Sequence, residues 1–144
     1  MDYIVRSPES IYEWSAYFQL RWQNLRQPWG QPLGSEQDNF EGESFHLMAI
    51  RGEEMLGVGR IHLVSSFQAQ VRYMAVKPES RGMNVGKSIL QGLENYASKV
   101  STRMIVLNAR EEALKFYKKN GYFVTGEGET LFESIRHWKM QKNL

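Results

Sequence analysis

A strand that runs directly into the glycine-containing first turn of a helix leaves this chain few architectures. Residues 70–76 (QVRYMAV) read as a strand. Pro78 stops the run, since its ring fixes φ and removes an N–H, and the segment from Arg81 to Gly86 opens a helix that ends near Val100. The apolar positions Ile89, Leu90, Leu93, Ala97 and Val100 fall at helical spacing, so this helix has a core face. Its N-terminus gathers unpaired N–H groups at the positive end of the helix dipole, which suits an anionic group, and Gly82 and Gly86 let a ligand approach the backbone without meeting a Cβ.

The other periodicities extend this unit in both directions. Residues 3–6 read as a short strand, and Pro8, Glu9 and Ser10 open an amphipathic helix over residues 11–26. Pro28, Gly30, Pro32 and Gly34 end it. Residues 35–44 then form a long polar loop that either contacts substrate or is simply mobile. Residues 45–51 and 55–65 alternate as a hairpin about Gly52, Glu53 and Glu54. The continuously apolar run at 104–107 reads as a buried central strand, and residues 111–120 as a helix stopped by a left-handed Gly121. Residues 122–125 and 135–140 supply two last strands around a turn at Gly126 to Gly128. This order predicts one α/β (α+β) domain over residues 1–144, a mixed sheet with helices on its faces. With 42% hydrophobic and 24% charged residues, the chain is expected to fold throughout.

Two phosphate loops compete for the glycines. A nucleotide-triphosphatase P-loop ending in Gly86, Lys87 and Ser88 needs its first glycine where Arg81 stands, so it fails by one residue, and the dinucleotide fingerprint fails on spacing. The run Arg81-Gly82-Met83-Asn84-Val85-Gly86, preceded by Met74-Ala75-Val76-Lys77-Pro78, instead resembles the pyrophosphate loop of the GNAT superfamily of N-acetyltransferases. Asn84 replaces that pattern's middle glycine, and Asn tolerates left-handed backbone angles better than other residues with a side chain. Downstream, Ala113-Leu114-Lys115-Phe116-Tyr117 followed by Gly121-Tyr122 resembles the superfamily's second motif, in the required order. The resemblance covers about residues 45–125.

It implies the GNAT fold: a mixed, mostly antiparallel sheet of about six or seven strands with splayed strands 4 and 5, flanked by about three or four helices. It implies acetyl-CoA as acyl donor and a primary amine of a small molecule or peptide as acceptor, joined by direct attack in a ternary complex. The backbone of Met74, Ala75 and Val76 would grip the pantetheine, with the Met74 N–H as oxyanion donor. The stretch Arg81, Gly82, Met83, Asn84, Val85, Gly86 and Lys87 would hold the pyrophosphate, Asn108 and Phe116 would line the cofactor slot, and Tyr117 would protonate the departing thiolate. Asn108 reads equally well as a helix cap. Without Ala113, Phe116 and Gly121 around it, Tyr117 would read only as a core residue. Gln70 stands where some members carry a glutamate base, which leaves a water chain or an already neutral amine to manage the proton.

For the acceptor, strict alternation would put Gln70, Arg72, Met74 and Val76 on one face, with Arg72 either binding a substrate carboxylate or making an ordinary salt bridge. Arg21, Arg26, Glu36 and Asp38 are further candidates near the first helix, where Trp14, Trp22 and Trp29 read as a packing face. His46, His62 and His137 lie on separate strands without ligand spacing, so no metal is expected; His62 or His137 is either a base or a hydrogen-bonded structural residue. With no cysteine, transfer through a cysteinyl intermediate is excluded. A net charge of +2 without a basic run argues against nucleic acid. The absence of an apolar leader or span argues for a cytoplasmic protein off the membrane. A homodimer would cover the sheet's exposed edges. The competing class is a non-catalytic acyl-CoA-binding regulatory module, which would have no chemical use for Tyr117.

Overall fold

A computed structural model describes residues 2–144. In chain order the elements are β1 (Ile4–Arg6), α1 (Ile11–Leu25), β2 (Phe45–Arg51), β3 (Glu54–Leu63), β4 (Gln68–Val76), α2 (Val85–Lys99), β5 (Met104–Arg110), α3 (Leu114–Lys119), β6 (Phe123–Leu131) and β7 (Ile135–Asn143). The strands form one seven-stranded sheet in the order β1-β2-β3-β4-β5-β7-β6, antiparallel except for β4 beside β5. That parallel pair is short: only Gln68, Ala69 and Gln70 face Met104, Ile105 and Val106 before the strands part.

Local chemistry starts and stops each helix. Ser10 caps α1 by accepting the Glu13 N–H at 3.1 Å, while the Glu13 carboxylate reaches back to the Ser10 N–H and binds Arg6 at 2.6 Å. Helix α2 covers one sheet face, burying Val85, Ile89, Leu90, Leu93 and Ala97 against Leu47, Leu56, Ile61 and Val71. Helix α1 covers the other, with Tyr17 and Leu20 against Met48, Val58 and Ala75. Close approach of α2 depends on glycines in β3. A Cβ at Gly59 would lie 2.5 Å from Met74 Sδ and 2.7 Å from Ile89 Cγ2, and one at Gly57 would lie 2.8 Å from Val85 Cγ1.

Strict alternation along β4 does not hold. Arg60 pairs with Arg72 and Val58 with Ala75, so Tyr73 and Met74 together oppose Gly59, and Tyr73 sits at φ 59. The Gly59 carbonyl takes the Tyr17 hydroxyl at 3.1 Å. The extra residue flips the pattern. Met74 and Val76 pack with Val71 on the α2 side, whereas Arg72 turns to the α1 side, where it binds Asp38.

Residues 35–44 are tied to the sheet and α1 by two fully buried arginines. Arg60 binds Asp38 at 2.6 Å and Glu41 at 2.8 Å, and Arg21 binds Glu41 at 2.9 Å and the Glu36 carbonyl at 3.0 Å. The Glu36 carboxylate itself folds onto the Gly34 N–H and the Gln37 amide. The last turn also lies elsewhere than the glycines suggested. Gly126 and Gly128 sit inside β6, whose register against β7 slips twice, and the reversal is made by Phe132 and Glu133 at φ 51 and 62. The helix expected over 111–120 divides into a 3-10 turn (Glu111–Ala113) and α3, and Gly121 does adopt the left-handed cap at φ 94.

Gly59→Ala should destabilise the protein by about 1–3 kcal/mol through overpacking between β3, Met74 and α2, read as a fall of several degrees in melting temperature. A second expectation concerns acid. Burial opposes ionisation of Asp38, but hydrogen bonds from Arg60 and the Phe40 N–H and the charges of Arg60 and Arg72 outweigh it and hold the carboxyl at about 2. A depressed folded value means stability that is complete above the unfolded value of about 4 and is lost as pH falls toward about 2, amounting to about 1–2 kcal/mol. Urea midpoints at pH 7 and pH 3 should therefore converge in Asp38→Asn more than in the parent protein.

Candidate active site

Where β4 and β5 part, two clefts open and meet. One, of about 520 Å³, runs from Met74, Ala75 and Val76 past Arg81, Gly82, Asn84, Val85, Gly86 and Lys87 to Glu112, Phe116 and Tyr117. The other, of about 610 Å³, is lined by Arg26, Gln70, Arg72, Tyr73, Asn108 and Arg110, and by Glu127, Glu129, Leu131, His137 and Lys139 of the C-terminal hairpin. Met74, Ala113 and Tyr117 belong to both.

The first cleft is a cradle of backbone groups. Asn84, at φ 61 and ψ 21, is the left-handed residue before α2, and no side chain caps the helix. Among the described residues, the N–H groups from Gly82 to Lys87 meet no protein acceptor, the first helical bond being Ser88 N–H to Asn84 O. A Cβ on Gly82, at φ 86, would project into open space, while one on Gly86 would come within 3.2 Å of Phe116. Six unmet donors around a helix N-terminus suit an oligophosphate. On β4, the Lys77 N–H points to β3, bonding Leu56 O at 2.9 Å. Strand N–H groups alternate sides, so those of Val76 and Met74 point into the gap that β5 has left.

Tyr117 faces this junction from α3. Its ring is held edge-on by Phe116 at 5.0 Å and Tyr122 at 5.7 Å, and its hydroxyl makes no hydrogen bond among the described residues. Burial pushes its phenol well above the usual tyrosine range, so it stays protonated at neutral pH and has a proton to give.

Of the residues singled out for cofactor binding, all but two line the first cleft. The Met83 side chain packs on the core and its carbonyl accepts from Tyr3 at 3.0 Å, and Asn108 lines the second cleft instead. Arg26 and Arg72 line the second cleft, but Arg21 is fully buried in the loop network and reaches neither. His46 bonds Tyr17 and the Glu41 carbonyl, and His62 stacks on Phe40, both away from the clefts. His137 lines the second cleft. Its Nδ1 lies 3.0 Å from the Ile135 carbonyl, which can only accept, so Nδ1 carries the proton and Nε2 keeps the lone pair in the neutral ring.

Sequence reasoning missed Tyr73, Arg110, Glu127, Glu129, Leu131 and Lys139 as lining residues. For Glu127, Glu129, Leu131 and Lys139 the signal was the register of β6 and β7, which the misplaced turn concealed, and Tyr73 owes its place to the bulge in β4. Trp29 also has a specific position, with its ring 4.5 Å beneath the Arg110 guanidinium.

Comparison with known proteins gives this geometry a family. Residues 27–144 match the model of the acetyltransferase (GNAT) domain. A Bacillus subtilis (strain 168) protein named uncharacterized N-acetyltransferase YjcF is 35% identical over 112 residues, 78% of this chain and 79% of its own. Among solved structures, an aminoglycoside 6'-N-acetyltransferase complexed with coenzyme A superposes with a TM-score of 0.82 at 14% identity, covering 97% of this chain and 96% of that one. A GNAT family acetyltransferase from Elizabethkingia anophelis with acetyl-CoA bound gives 0.79 at 12% identity, covering 99% of both. No helix of the described residues is long and apolar enough to cross a membrane. A mixed sheet that opens between β4 and β5, with a bare helix N-terminus at the mouth of the opening, is thus matched by family and by fold, and the chain belongs to the GNAT acetyltransferases as an N-acetyltransferase.

Proposed function

We propose that the protein is a cytoplasmic enzyme that transfers acetyl from acetyl-CoA to a primary amine of a small molecule or peptide, by direct attack in a ternary complex. The observation that supports this reading is the meeting of two clefts at Met74, Ala113 and Tyr117, one rich in unmet backbone donors and one lined by polar side chains. Two proteins of the same fold hold coenzyme A or acetyl-CoA, and the bare N–H groups from Gly82 to Lys87 suit its pyrophosphate. The pantetheine would pair with the Met74 and Val76 backbone in the gap beside β4, bringing the thioester carbonyl to the Met74 N–H, which stabilises the oxyanion as charge develops.

The acceptor amine enters by the larger cleft and loses a proton, for which His137 Nε2 is the base we assign. Its lone pair attacks the carbonyl carbon, the new C–N bond forms, and collapse of the oxyanion breaks the C–S bond. The leaving thiolate receives a proton from Tyr117, whose burial keeps that proton in place until the negative sulfur arrives, and the second proton, shed by the nitrogen as the neutral amide forms, restores the phenol. With no cysteine in the chain, no cysteinyl intermediate intervenes.

Acetyl-CoA at about 100 times its dissociation constant should stabilise the fold by about 2.7 kcal/mol, seen as a melting shift of several degrees. Tyr117→Phe should keep that shift while lowering kcat for coenzyme A release about 10²- to 10⁴-fold. His137→Gln should likewise lower kcat with the shift intact. A parent protein whose melting temperature ignores acetyl-CoA would refute the donor, and an unimpaired Tyr117→Phe would refute the acid.

A further inference from the structure

The larger cleft carries an excess of positive charge that the fold itself does not neutralise. Around the Tyr73 ring stand four guanidiniums, with Arg21, Arg72, Arg60 and Arg26 at 4.2, 4.5, 5.0 and 5.6 Å from its centroid. Their ion pairs involve two carboxylates, Asp38 and Glu41, and Arg72 has only Asp38 Oδ2, on a carboxylate that Arg60 also holds. A fifth guanidinium, Arg110, arrives from the end of β5. Arg26 Nη1 and Arg110 Nη2 converge on one oxygen, the Leu25 carbonyl at the end of α1, at 3.0 and 3.2 Å. Among the described residues neither has a carboxylate within ion-pair distance, and the remaining Arg110 N–H groups meet no protein acceptor. Burial lowers the pKa of both, with a smaller contribution from neighbouring cations, Arg72 and Arg21 for Arg26 and Arg26 for Arg110, which the Tyr73 hydroxyl and the Glu112 carboxylate respectively oppose. The cleft's own acids, Glu127 and Glu129, lie exposed on β6, and Glu127 faces Arg136 at 3.8 Å.

We infer that the acceptor carries a carboxylate beside its amine, and that Arg26, Arg72 and Arg110 bind this group while the amine is directed toward Met74 and Tyr117. The inference rests on the acyl-transfer reading above. Planar guanidiniums match a carboxylate in geometry and charge, and Trp29 beneath Arg110 fixes one of them in advance. The same field repels a polycationic acceptor, so polyamines and aminoglycoside-like amines are poor substrates. A purely structural role, in which Arg26 and Arg110 only cap the end of α1, would appear in stability and leave substrate choice unmoved.

The test measures coenzyme A release with acetyl-CoA and matched acceptors: a panel of α-amino acids, their primary amides, and spermidine. The amide's amine is the less basic and more available nucleophile, so the comparison is weighted against the inference. The expected result is a kcat/KM for the acids about 10- to 100-fold above the amides, with spermidine slower than both. Arg110→Gln and Arg72→Gln should each reduce the acid-to-amide ratio about tenfold, mainly through KM, with the acetyl-CoA melting shift unchanged. Equal acid and amide rates, faster turnover of spermidine, or no turnover of any acid would overturn the carboxylate while leaving the donor reading intact. A protein whose melting temperature ignores acetyl-CoA overturns both.

Discussion

Strands β4 and β5 run together for three residues and then separate, and beyond the last pair, at Gln70, a bulge at Tyr73 reverses the facing of the rest of β4. A residue with a large side chain at φ 59 costs about 1–3 kcal/mol and persists only where its surroundings determine it. Here four guanidiniums press on the Tyr73 ring, and the Gly59 carbonyl, opposite the bulge, is taken up by Tyr17. The consequences follow in order. Met74 and Val76 move to the α2 face, their N–H groups point into the gap, α2 begins at the gap's mouth, and α3 sets Tyr117 across it.

The buried charges belong to the same arrangement. Arg21 and Arg60 are fully enclosed, and enclosed ion pairs add little net stability because desolvation offsets their attraction. Their role is positional: they fasten Asp38 and Glu41 over the sheet, which fixes the loop and the environment of Tyr73. The arginines left with shared partners or carbonyls alone then face the larger cleft. One cleft presents backbone N–H groups and the other side chains.

That division explains which half could be read in the sequence. A backbone cradle demands particular residues in a short span, so Pro78, Gly82 and Gly86 marked the first cleft, and Asn84, where the pattern has glycine, adopts the left-handed angles its side chain allows. Ala113, Tyr117 and Gly121 were legible through their resemblance to a second motif of the superfamily. The larger cleft is assembled from α1, β4, β5 and the C-terminal hairpin, and two local slips hid it. The bulge separated Arg72 from Met74, against strict alternation, and the glycines of β6 absorb register shifts in the strand while Phe132 and Glu133 make the turn. Arg21, expected at the substrate, was drawn into the interior by the Glu36 carbonyl and the Glu41 carboxylate, 15 and 20 residues away in sequence, a pairing no local pattern reveals. Element order and type survived because hydrophobic period and helix signals are local.

Amide hydrogen exchange with and without acetyl-CoA tests most directly whether the gap beside β4 is the donor site. The account predicts new protection concentrated at Met74, Val76 and the amides from Gly82 to Lys87, with the β6–β7 hairpin unaffected until an acceptor is added. Protection confined to that hairpin, or none along β4 and the start of α2, would contradict it.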